Sequence, residues 1–252
     1  MTGMTHRTPW LVGRERHPEA TSDLYCFPHA AGMLGEFVRW SDKLPNLRVW
    51  GVQPPGRGAR LFEPPFTRMT ALVDAIIDSV HFEGGYALFG HSSGALVAFE
   101  VVRALRRLGR DQPHCLLISA CVPPSEIVAF VGPPIYSLPD QDLLVEVERR
   151  WGPIPNEIRQ DADVLKSTLA CFRADLELVA TYQYQPEEPL DCPIVALGGS
   201  ADRVSTTLQG WRDYTRRPYE LHTFPGRHFY FREGPHDVLR LIRDVTTREW
   251  DK

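Results

Sequence analysis

Three residues of this sequence, each just beyond a short apolar run, have the types that serine-based acyl transfer needs: Ser92, Asp202 and His228. A serine hydroxyl is a weak nucleophile until a base takes its proton. A histidine does so best when a carboxylate holds it in the right tautomer. Ser92 lies in YALFGHSSGALVAFE (Tyr86 to Glu100), at the centre of Gly-x-Ser-x-Gly between Gly90 and Gly94. The pattern alone arises by chance in roughly one chain in ten of this length. Its setting gives it weight: the apolar run ALFG comes before it and the amphipathic ALVAFEVVRAL after it. That is the strand–turn–helix in which a serine projects from the apex of a sharp turn. Asp202 follows PIVALGG, and His228 follows YELHTF in a Pro-Gly loop. Serine, acid and histidine therefore come in the chain order this architecture uses, each after a strand. The other histidines fit less well: His81 ends a helix, His114 starts a strand, His222 lies within one, and His6 and His17 fall in the N-terminal extension.

Acyl transfer also needs donors for an oxyanion. The Ser93 N–H, at the start of a helix, is one candidate. The loop YCFPHAAGMLGEF supplies the second; Ala30 is the expected donor and Ala31 the alternate. His91, before the nucleophile, is expected to pack beside the turn rather than to transfer protons.

These loops need a scaffold. Apolar strands start at Leu24, Leu47, Tyr86, His114, Pro193 and Tyr219, and amphipathic helices alternate with them over Thr70–Val80, Gly94–Gly109 and Pro235–Trp250, with a polar helix at Leu208–Tyr214. This alternation predicts an α/β fold with a mostly parallel central sheet flanked by helices. The expected organisation is one domain over residues 1–252, its core about 24–121 and 190–252. Residues 122–189 interrupt it; they are proline-rich at both ends, with helical patterns at Asp140–Gly152 and Asp161–Tyr182 and no strand signal. A helical lid over the carboxyl edge of the sheet suits this insertion. Its apolar residues Phe130, Leu144 and Phe172 suit either an acyl pocket or the core of the lid; His29, Ala31 and Phe229 are further pocket candidates.

The bulk numbers exclude several classes. The chain has 252 residues with a net charge of -4, which gives no electrostatic grip on nucleic acid or an anionic membrane. The arginines of VVRALRRLGR (Val101 to Arg110) read as a solvated helix face. Five scattered cysteines without a C-x-x-C pair read as reduced, buried thiols, and no metal or organic cofactor is expected. The N-terminus lacks the apolar core of a signal peptide, so a soluble cytoplasmic protein is expected.

Taken together, FPHAAG, WGVQPPGRGAR, FGHSSGALVAFE, GGSADRVS and FPGRHFYF resemble the discrete type II thioesterases of polyketide and non-ribosomal peptide synthesis, which are α/β-hydrolases. The resemblance runs from about Leu24 to the C-terminal helix. It implies release of acyl or aminoacyl groups stalled on phosphopantetheinyl carrier domains reached in trans, with Ser92 as nucleophile, Asp202 as acid and His228 as base. It also implies that the lid shapes an acyl pocket. The rival readings are a carboxylesterase or lipase-like hydrolase of oxygen esters, and a silent hydrolase fold that binds a synthase. Where the family usually has His-Ala-Gly-Gly, this chain has His29-Ala30-Ala31-Gly32; the extra methyl is expected to narrow the pocket or shift the donor without removing an N–H. PPGRGAR (Pro54 to Arg60) is a family marker whose arginines either hold the chain together, the stronger reading, or meet the carrier's phosphate.

Overall fold

The computed structural model describes residues 5–14 and 16–250. Among the described residues eight strands form one sheet: β1 (Thr5–Thr8), β2 (Leu11–Gly13), β3 (Ser22–Phe27), β4 (Leu47–Val52), β5 (Gly85–His91), β6 (Cys115–Ser119), β7 (Ile194–Gly199) and β8 (Tyr219–Phe224). Their spatial order is β1-β2-β4-β3-β5-β6-β7-β8. From β4 to β8 every neighbouring pair is parallel. The helices are α1 (Gly35–Val38), α2 (Met69–Ser79), α3 (Ser93–Arg107), α4 (Ile127–Val131), α5 (Asp140–Trp151), α6 (Asn156–Arg159), α7 (Ala162–Ala180), α8 (Tyr230–Glu233) and α9 (Pro235–Thr247), with 3-10 turns between some of them.

Side-chain alternation explains the layers. Tyr25, Phe27, Leu88, Leu116, Ile118, Ile194 and Ala196 point to one face and pack with α2 and α3. Their neighbours Leu24, Cys26, Phe89, Leu117, Val195 and Leu197 point to the other, where Phe37, Trp40, Val238 and Ile242 cover them. A strand buried on both faces reads as a near-continuous apolar run, as Leu24–Phe27, Tyr86–Phe89 and Ile194–Leu197 do. This is the α/β-hydrolase architecture. Helices α4 to α7 lie between β6 and β7 in sequence and have a small core of their own around Leu143, Val147, Ile154, Leu169 and Leu176.

Three features depart from the sequence reading. The N-terminal stretch contributes β1 and β2, and β2 pairs antiparallel with β4, burying Leu11 and Val12. Three residues are too few to show alternation, so this edge left no periodic signal. Arg103 is not on a solvated face. It is 4% exposed and donates to Glu100 (2.5 Å) and the Gln185 carbonyl, while its guanidinium pairs with Glu187. It ties α3 to the chain returning from the lid, and of that cluster Arg107 and Arg110 are the exposed members. The polar helix at Leu208–Tyr214 is 3-10.

Candidate active site

Because β5 to β8 run parallel, their carboxyl ends share one edge of the sheet. Ser92 directly follows β5, Asp202 comes three residues after β7, and His228 four after β8. Ser92 has φ 55° and ψ −123°, a conformation that costs a non-glycine residue on the order of 1–3 kcal/mol. The fold holds it there: its N–H donates to the Ser119 carbonyl at 2.8 Å, and α3 begins at the next residue. The tight turn also needs Gly94. A Cβ there would overlap the carbonyl oxygens of Phe27 and Pro28, so the helix start and the loop after β3 touch backbone to backbone. Gly94→Ala must push that loop away, and a displacement of about 1 Å costs on the order of 100-fold in rate. Turnover assays paired with thermal melts should show at least that loss in kcat.

Gly199 plays the same part for the other two residues. A Cβ on it would overlap the Arg227 carbonyl, so the loop carrying His228 lies directly on the end of β7. His228 Nδ1 donates to Asp202 Oδ2 at 2.8 Å, with the two side chains 12% and 7% exposed. The other carboxylate oxygen, Oδ1, caps the following 3-10 turn by accepting the Val204 N–H at 3.3 Å. Asp202 is thus both a helix cap and the partner of His228. Ser92 and His228 line one cavity without a hydrogen bond between them among the described residues; such contacts commonly tighten around bound substrate.

The cavity holds about 740 Å³, within the usual size of a small-molecule site. The carboxyl edge supplies its floor, including Ala30, Ser92, Ser93 and His228, and the lid supplies walls such as Phe130, Val147, Trp151 and Phe172. No acceptor among the described residues takes the Ala30 or Ser93 N–H. The alternate donor fails: the Ala31 N–H is spent on Asp175 Oδ2 at 2.7 Å. Ala31 itself has φ 51°, the left-handed region where a glycine is relaxed and an alanine is strained. His29, Ala31 and Phe229 line the cavity; Leu144 does not. The cavity meets α5 at Val147, Arg150 and Trp151, and Leu144 sits about 10 Å up the helix from Trp151 at 1.5 Å per residue, packed in the lid's own core. The PPGRGAR arginines are spent internally: Arg57 on Asp175, and Arg60 on Glu63 and the Gln53 carbonyl, over the Trp10 ring.

Two further histidines flank the site. His91 is fully buried; its Nδ1 meets Ser119 Oγ at 2.8 Å, and its ring centroid lies 4.9 Å from that of His228. Burial drives its pKa well down, and burial likewise lowers that of His29 to about 3, so both stay neutral. In the unfolded chain each takes a proton near pH 6.5. Below that pH the unfolded state therefore binds more protons, and the fold loses about 1.4 kcal/mol per pH unit for each histidine until the folded pKa is reached. Urea melts from pH 7 to pH 4 should show this decline, and His29→Gln should remove about half of that slope. The five cysteines are free and buried, and burial pushes Cys121, Cys171 and Cys192 up to about 12, leaving unreactive thiols.

Sequence reasoning passed over Asp175. Its signal was a carboxylate on the stripe of α7 that also carries Cys171 and Leu178, at i−4 and i+3, both buried.

The chain is similar to known proteins over nearly its whole length. A profile described as thioesterase domain matches residues 22–246. The gramicidin S biosynthesis protein GrsT of Aneurinibacillus migulanus is 30% identical over 247 residues, covering 96% of this chain and 95% of that one. Among solved structures, the type II thioesterase BorB from the borrelidin biosynthetic cluster superposes with a TM-score of 0.83 at 32% identity, covering 96% and 99% of the two chains. RedJ, a thioesterase from the prodiginine pathway of Streptomyces coelicolor, gives 0.80 at 33% identity over 90% and 91%.

Proposed function

This chain belongs to the thioesterase domain family, and from that premise we propose that it is an editing thioesterase, releasing acyl or aminoacyl groups stalled on the phosphopantetheinyl carriers of a polyketide or non-ribosomal peptide synthase. The observation that carries this reading is the meeting of Ser92, Asp202 and His228 at one cavity, in a chain alike end to end to proteins named for such pathways.

In the proposed cycle the Asp202 carboxylate holds the proton on His228 Nδ1, leaving Nε2 as the base. His228 takes the Ser92 proton as Oγ attacks the thioester carbonyl. The oxyanion accepts the N–H groups of Ala30 and Ser93, the latter strengthened by the amino end of α3. The carrier thiolate leaves with the proton from His228, and water activated by the same imidazole then hydrolyses the acyl-serine. The lid encloses the acyl group, in a cavity lined by Phe130, Phe172 and Phe229. The carrier is expected to arrive in trans. Among the described residues no helix is long and apolar enough to cross a membrane.

The test is mass spectrometry of a panel of acyl-phosphopantetheinyl carriers after exposure to the enzyme, run beside a simple aryl ester. Faster release from carriers supports editing. Equal or faster cleavage of the aryl ester would favour an oxygen-ester hydrolase.

A further inference from the structure

The carboxylate Asp175, on the last lid helix, is joined to two segments distant in sequence. Its Oδ2 accepts the Ala31 N–H at 2.7 Å, and both of its oxygens accept from Arg57 Nη2 at 2.8 Å. Arg57 is 5% exposed and Asp175 13%. A buried ion pair of this kind is a weak source of net stability and leaves a costly orphan when only one partner is removed. Its placement says more than its strength. Asp175 lies in the C-terminal part of α7, five residues before its end at Ala180, in the longest lid helix, and also lines the cavity. The residue it holds, Ala31, adjoins the proposed oxyanion donor Ala30 and has φ 51°, a conformation an alanine leaves when nothing holds it.

Besides its own turn bond, from the Gly32 N–H to the His29 carbonyl at 2.7 Å, the loop after β3 is therefore clamped twice from outside. Below, Gly94 lets the first turn of α3 sit against the Phe27 and Pro28 carbonyls. Above, the carboxylate on α7 takes the Ala31 N–H. The peptide that carries the Ala30 N–H lies between the clamps. Arg57, from the PPGRGAR motif, fixes the upper one by charge-assisted hydrogen bonds to the same carboxylate.

We propose that Asp175 is a positioning residue that aims the Ala30 N–H into the oxyanion site, so that this donor is in place only while lid helix α7 is seated. The lid then does more than wall the pocket: its docking completes the catalytic geometry, and lifting it releases Ala31 from its strained conformation. Arg57 serves catalysis through Asp175 and touches no reacting atom.

This inference rests on the thioester hydrolysis proposed above, and the experiment separates the two. Wild type, Asp175→Ala and the double variant Arg57→Met/Asp175→Ala are assayed on one acyl-phosphopantetheinyl carrier, with thermal melts of each. Asp175→Ala leaves Arg57 buried and unpaired, and should lower Tm by about 10 °C. The double variant removes that charge and should recover most of the Tm. Its kcat should stay about 10- to 100-fold below wild type, the cost of a misaimed donor, with KM within about twofold. A boronic acid that forms a tetrahedral adduct on Ser92 should bind the double variant more weakly by a similar factor. If kcat and boronate affinity return together with Tm, the ion pair is merely structural and the inference falls. If wild type releases no acyl group, the functional reading fails instead, and the boronate series still reports on the donor.

Discussion

Ser92→Ala should lower release of free acid from an acyl carrier by about 10⁴-fold or more, with carrier affinity unchanged. The size follows from how a nucleophile and its base act as a unit: removing either one in a serine hydrolase costs nearly what removing all of them does. The small residue left is what the oxyanion donors and substrate binding still contribute to attack by water. Alanine fits the site, because Ser92 Oγ makes no hydrogen bond within the described residues that the fold relies on, whereas the backbone bond from the Ser92 N–H to Ser119 remains. The φ of 55° is no harder for alanine than for serine. Thermal melts should therefore match wild type while mass spectrometry finds the acyl group still on its carrier. Turnover within tenfold of wild type would remove Ser92 from the mechanism.

Asp202→Asn should cost on the order of 10³- to 10⁴-fold in kcat, with little effect on KM. The substitution separates the two jobs of this side chain. As a cap it is nearly silent, because an asparagine carbonyl can still accept the Val204 N–H, the contact that Oδ1 makes at 3.3 Å. As partner of His228 it fails. The amide then presents an N–H where Oδ2 accepted from Nδ1 at 2.8 Å. Two donors cannot share that bond, so the imidazole moves its proton to Nε2 and presents the wrong nitrogen to Ser92. Steady-state kinetics with a melt as control tests this: Tm within a few degrees and kcat down by thousands. A drop in kcat of less than about tenfold would mean that His228 takes its orientation from something else.

The order of strand ends was legible in the sequence because it is a one-dimensional property. Buried parallel strands are apolar runs, the helices between them are amphipathic, and chemistry-bearing residues must fall just after the strands. Ser92, Asp202 and His228 all stand out on those terms. The β2 edge did not, since Leu11–Gly13 is too short for a period. Arg103 was misjudged because helical spacing gives an azimuth but not what lies there; the chain near Gln185 and Glu187 covers it. Leu144 shows the complementary limit. It shares a helix face with Trp151, and only the position of the lid along the cavity decides that Trp151 lines it and Leu144 does not.

The sequence by itself determined the reaction class, the α/β scaffold, and the candidates for nucleophile, acid, base and oxyanion donors, since each depends on residue type and local spacing. Tertiary structure alone decided which alanine N–H is free. Ala30 and Ala31 are identical in side chain and adjacent in the chain, and the choice is made by a carboxylate 144 residues away that claims the second. Which hydrogen bond is already spent depends on contacts between distant segments, and no local pattern records them.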